Sequence, residues 1–277
     1  MKGAQRVIAL RSTFVWAGGS GSSVYPTSAH AMSENIFGPT DAVNLKSQMS
    51  ACSNGKFTME PATPTSVTLS ASGVLDVTVN DDISNSSGER TTYEKAIIAA
   101  GSAGLKFSDF DLLMVFLPPG SDQFGSSDWL AFAGLGAWWS VYNSGLDSSV
   151  STQMHEVMHN YGVKHSGEAG NEYGDQSGTM GYSYMIDEGP LMCFNGAKSY
   201  YLDWYTTEEV VFAAFGDERS LQLTGIDDDA VASFPAITVV KLPIDDDPLG
   251  AGYFIMYNKK AGVNDGTSEG ANQVLIT

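Results

Sequence analysis

The sequence is poor in cysteine, in histidine and in positive charge. It has two cysteines, Cys52 and Cys193, in 277 residues. So few exclude a small disulfide-built scaffold; the pair either forms one bridge or sits as two buried apolar groups. Lysine and arginine total 14 against 32 aspartates and glutamates, giving a net charge of −18 and a sequence pI near 4.3. A surface this acidic repels phosphate backbones and anionic headgroups, which removes nucleic acid and membrane surfaces as partners. Long apolar runs are missing too. The charge-free stretch at residues 130–146 is broken by Gly, Ser and Asn, and a membrane span needs about 18 apolar residues. The N-terminus, Met1-Lys2-Gly3-Ala4-Gln5-Arg6, lacks the apolar stretch of a signal peptide. Either the chain is cytosolic, or a leader and any pro-segment lie outside this sequence.

What remains is the material of an ordinary globular core, 43% hydrophobic with a mean hydropathy of −0.09. The length suits one large domain, or a domain with a smaller companion. Strand composition is expected over residues 6–12, 56–60 and 74–80, and a helix over 28–50 that Gly38-Pro39 must interrupt. Residues 89–105 carry apolar positions at helical spacing, Tyr93, Ala96, Ile97 and Ala100. The nearly continuous apolar run 110–117, closed by Pro118-Pro119-Gly120, suits a central strand buried on both faces. Two short strands are expected within 129–142, then helices over 148–161 and 193–205. Beyond residue 206 the character changes: strand-like segments at 220–224, 236–242, 253–257 and 274–277 alternate with Asp-rich loops. The expected organisation is therefore α+β over residues 1–206, with a β-rich extension over 207–277. No internal repeat is visible.

Three of the four histidines fall within eleven residues, His155-Glu156-Val157-Met158-His159-Asn160-Tyr161-Gly162-Val163-Lys164-His165. This fits HExxHxxGxxH, and each fixed position has a physical task. His155 and His159, four apart, project from one helix face and can chelate one ion. Glu156 can reach a water on that ion without being a ligand. Gly162 adopts positive φ without steric cost, ending the helix and turning the chain so that His165 returns as third ligand. Three neutral nitrogens leave a fourth position for water, the arrangement of a catalytic Zn2+ site. His30, alone among Ser and Ala, is expected to be a surface or capping residue.

Fifteen residues after His165 stands Gly178-Thr179-Met180-Gly181-Tyr182-Ser183, which resembles the Met-turn of metzincins. The resemblance implies that Met180 forms an apolar floor beneath the histidines. It also implies that Tyr182 approaches the metal and hydrogen-bonds an oxyanion; packing of Tyr182 in the core is the competing account. His159-Asn160-Tyr161-Gly162, His165-Ser166-Gly167-Glu168, Tyr173-Gly174-Asp175 and Met180-Gly181-Tyr182-Ser183 are together similar to the gametolysin family of metallopeptidases. Cys193 to Ser199, Leu202-Asp203-Trp204-Tyr205 and Ala51 to Lys56 extend the likeness to roughly residues 6–277. It implies a metzincin-type catalytic domain, with a twisted mixed sheet, an active-site helix and a C-terminal helix. It further implies a secreted zinc endopeptidase acting on protein or glycoprotein of an extracellular matrix or cell wall.

Around the site, residues 130–138 are either the edge strand that pairs with an extended substrate or an interior strand. Asn160 and Glu168 either support the ligands or face solvent. Asp227-Asp228-Asp229 and Asp245-Asp246-Asp247 either bind Ca2+ or form solvated loops. Two other functions fit the motif: a catalytically silent zinc-binding adhesion protein, and a zinc hydrolase acting on a non-peptide bond. Glu156 argues against the first, because loss of the base is the simplest route to inactivity.

Overall fold

One long strand organises the chain. In the computed structural model, which describes residues 1–16, 21–82, 89–121, 129–181, 187, 189–212, 216–226, 237–244, 251–267 and 269–277, β1 spans Gly3–Val15. It pairs in parallel with β3 (Phe57–Pro61), β4 (Val74–Val79) and β5 (Leu112–Phe116), and antiparallel with β2 (Ser22–Val24). Beyond β5 lie β7 (Trp139–Tyr142), parallel to it, and β6 (Ala131–Ala133), antiparallel at the end of the order β2-β1-β5-β7-β6. Residues 130–138 thus contribute a terminal strand of this sheet rather than an interior one.

The two-residue side-chain period sends alternate residues of β1 and β5 into two separate cores. Val7, Ala9, Leu112, Met114 and Phe116 face one, where α1 (Ala29–Phe37), α2 (Leu45–Cys52) and α4 (Val150–Asn160) pack. Ile8, Leu10, Leu113, Val115 and Leu117 face the other, covered by α3 (Glu89–Ser102). A parallel strand buried on both faces must be apolar at every position, and β5 is.

The expected break at Gly38-Pro39 separates α1 from α2, which restarts on a capping box between Asn44 and Ser47. The expected helix over 193–205 is shorter. α5 spans only Gly196–Leu202, because Asn195 caps it through Lys198 N and residues 191–194 belong to no regular element. Asp203 ends it in the left-handed conformation at φ 55°.

A second sheet follows, in the order β11 (Gln273–Ile276), β10 (Gly252–Asn258), β9 (Val239–Pro243), β8 (Thr207–Glu209). The strand expected at 220–224 does not form; only Leu223 makes an isolated bridge, to Ile237. A polar stretch with one apolar face and no continuous partner cannot sustain a ladder. This sheet packs on α5, where the Tyr200 and Phe254 rings lie 5.1 Å apart. Among the described residues no helix is long and apolar enough to cross a membrane.

Candidate metal centre

Helix α4 is buried along its whole length, with Val150, Met154, Val157 and Met158 in the core beneath the sheet. Its opposite face carries His155 and His159. The helix stops at Gly162, φ 81°, where Gly162 N donates to His159 O (2.9 Å) and Val163 N to Met158 O (3.0 Å). Those two bonds form a Schellman turn, which requires the left-handed residue that glycine supplies. The turn brings His165 back, and the candidate ligand nitrogens of all three histidines lie within 4.8 Å of one another.

Each ring is oriented through its Nδ1. That of His155 is 2.9 Å from Thr179 O, that of His159 is 2.7 Å from Val163 O, and that of His165 is 2.5 Å from Glu172 Oε1. An Nδ1–H donated to an oxygen fixes the tautomer and leaves Nε2 as a bare lone pair. The Nε2 atoms of His159 and His165 then approach to 2.9 Å. Two lone pairs at that distance repel unless a cation joins them, so the donor set fits a divalent metal, with imidazole nitrogens suited to zinc. Burial lowers the pKa of His155 to about 4 and pushes that of His159 down as well, keeping both rings neutral as ligands must be.

Glu156 is 7% exposed, and burial raises its carboxyl pKa to about 8. Met180 is buried at the second central position of a turn closed by Gly181 N donating to Gly178 O (3.0 Å). The preceding residue, Thr179, supplies the carbonyl that orients His155. Tyr182 lies outside the described residues, as do the acid clusters at 227–229 and 245–247. Asn160 is buried, with Nδ2 donating to Trp139 O at 2.7 Å, so it ties α4 to β7 rather than facing water. Glu168 is exposed at a turn it shares with Asn171, and His30 is exposed on α1. Cys52, at the end of α2, is joined by a disulfide to Cys193, with Cα atoms 5.4 Å apart.

Three neighbours escaped the sequence reading. Tyr173 lays its ring 4.2 Å from that of His165 and 6.2 Å from that of His155, and Glu172 holds His165. Lys198 of α5 donates to the His165 carbonyl at 3.1 Å. Tyr173 belongs to a string already noted for its resemblance, and its position between His165 and the Met180 turn was the available signal.

Three imidazoles converging on an α+β scaffold define a protein equipped to hold one divalent metal ion. The chain belongs to the gametolysin peptidase M11 family, whose profile matches residues 19–244, well over half its length. That family is one of metallopeptidases. The chain is also 36% identical over 93 residues to the autolysin of Chlamydomonas reinhardtii. That match covers 32% of this chain and 14% of the autolysin.

Proposed function

We propose that the chain is a secreted zinc endopeptidase that cuts extracellular or cell-wall proteins. The observation that carries this reading is the orientation of three converging imidazoles by Thr179, Val163 and Glu172, with Nε2 left to the metal. Zinc held there would supply Lewis acidity for the negative charge developing on a scissile carbonyl oxygen. Glu156 takes a proton from the attacking water and passes it to the leaving nitrogen. Tyr182 is the candidate hydrogen-bond donor to the oxyanion, and Met180 the floor beneath the rings. An extended substrate pairs along β6, whose place at the end of the sheet supports this use. Residues 1–206 form the catalytic unit in this reading and 207–277 its β-rich extension.

The test is metal analysis joined to proteolysis. Purified protein should hold one zinc per chain and cut casein or gelatin, lose activity to a chelator and regain it with added zinc. Zinc-loaded protein that cuts no protein substrate, and is unaffected by Glu156→Ala, would overturn the peptidase reading.

A further inference from the structure

The groups that orient the histidines are themselves held from the far end of the chain. Thr179, whose carbonyl receives His155 Nδ1, donates its own N–H to Cys193 O at 2.9 Å. The Thr179 hydroxyl reaches the Met192 and Cys193 carbonyls, each at 3.0 Å. Cys193 N donates in turn to Asn264 Oδ1 at 3.0 Å. Asn264 is 2% exposed, and its Nδ2 donates to Asn258 Oδ1 (2.9 Å) and Lys259 O (3.0 Å). Asn258 closes the bend by donating to Thr267 Oγ1 and Glu269 O, both at 2.9 Å. An unbroken run of hydrogen bonds therefore joins a buried amide pair at the end of β10 and just after it to the ring of His155.

A second connection reaches His165. Glu269 Oε2 accepts from Gln176 N at 2.5 Å. The neighbouring Asp175 donates its N–H to Ser166 O at 3.0 Å and accepts at Oδ2 from Asn195 Nδ2 at 2.6 Å. Ser166 N is bonded to Met180 O at 3.1 Å. The same bend also grips the frame through Gly266 N to Leu191 O (2.8 Å) and Gln48 Nε2 to Val263 O (2.7 Å). Polar side chains of this kind are ordinarily spent on solvent or on their own hairpin; here Asn264 and Glu269 are spent on backbone amides of the site's frame.

We infer that residues 258–267, together with Glu269, are a positioning element of the metal centre. They fix the Thr179 carbonyl and the 166–176 loop, and so set the ring orientations of His155 and His165 and the affinity for metal. The inference rests on the zinc-site reading, and the whole of this bend lies beyond the residues matched by the family profile. Partners that orient ligand rings from outside the ligand set typically govern metal affinity by about 10- to 100-fold.

The test uses the full chain with Asn264→Ala, Glu269→Ala and Glu269→Gln, and Tyr253→Ala on the exposed face of β10 as control. Zinc affinity is read by chelator competition, and the histidine ring N–H resonances are read by NMR in metal-free protein. Asn264→Ala and Glu269→Ala should each weaken zinc about tenfold, and each should shift a ring resonance, of His155 and His165 respectively. Glu269→Gln, which keeps an acceptor, should restore most of the affinity, and Tyr253→Ala should change neither readout. Unchanged zinc affinity and unchanged ring resonances in both alanine variants would overturn the inference, even if their Tm falls. Should Asn264→Ala fail to fold, Glu269→Ala, at the surface, decides alone. If the unsubstituted chain binds no zinc, the function proposed above fails, while the ring resonances still decide whether this bend positions the histidines.

Discussion

The two faces of the seven-stranded sheet are built from the same strands and differ in what they bury. Toward α3 the core is apolar: Ile8, Leu10, Leu113, Val115 and Leu117 meet Tyr93, Ala96 and Ala100. Toward α4 the layer also encloses His155, Glu156, His159, Asn160 and Asp147. Some of that polarity is fully satisfied, as at Asp147, which accepts from Tyr25 Oη, Thr27 Oγ1 and Asn35 Nδ2. Some is not: the Asn160 Oδ1 and Gln153 Oε1 atoms have no hydrogen-bond partner among the described residues. Burying polar groups costs stability unless partners are found. One face of the sheet supplies stability, and the other spends part of it on chemistry.

That contrast can be broken by substitution, and the largest effect is expected on the polar side. Glu156→Ala should lower kcat by about 10²- to 10⁴-fold, the range for loss of a general base, while leaving the thermal midpoint unchanged or higher. Retained activity would remove Glu156 from the chemistry. On the apolar face, Leu113→Ala should cost about 2–5 kcal/mol in denaturant unfolding, with zinc content per folded chain unaltered. Loss of zinc at intact stability would show that the faces are not separable. Gly162→Ala places a side chain at φ 81°, which costs about 1–2 kcal/mol, and should also weaken zinc because the turn delivers His165.

The smallest effect is a slope. In zinc-stripped protein the Glu156 carboxyl is protonated in the fold up to about pH 8, against an ordinary value of 4.5. Between those values the folded state binds the extra proton, so this group's contribution to stability is full below pH 4.5 and is lost as pH rises toward 8. The slope from one group cannot exceed about 1.4 kcal/mol per pH unit. Glu156→Gln should flatten it, as measured by unfolding across that range. Identical pH profiles for the two proteins would count against burial as the cause.

Much of this site was legible because its core is local. Eleven consecutive residues place two candidate ligands on one helix face, end the helix at Gly162 and return a third, all from rules of spacing and φ. The apolar run of β5 and the break at Gly38-Pro39 were legible for similar reasons. What was not legible depends on contacts distant in sequence. Thr179 reaches His155 across 24 positions and Asn264 reaches Cys193 across 71, with backbone groups as partners. Backbone amides and carbonyls leave no residue pattern to read. The late start of α5 has the same origin, since residues 191–193 are claimed by Thr179, Gly266 and Asn264 before a helix can begin.

Val163 occupies two positions in this network. Its N–H closes the end of α4 onto Met158, and its carbonyl receives the Nδ1 of His159. Fraying of the helix end and release of an imidazole are therefore one event rather than two. A metal that binds only the closed form stabilises that last turn by its own binding free energy, through mass action. The amide protons of Gly162 and Val163 then become reporters of metal occupancy, exchanging with solvent more slowly as free zinc rises, although neither residue supplies a ligand.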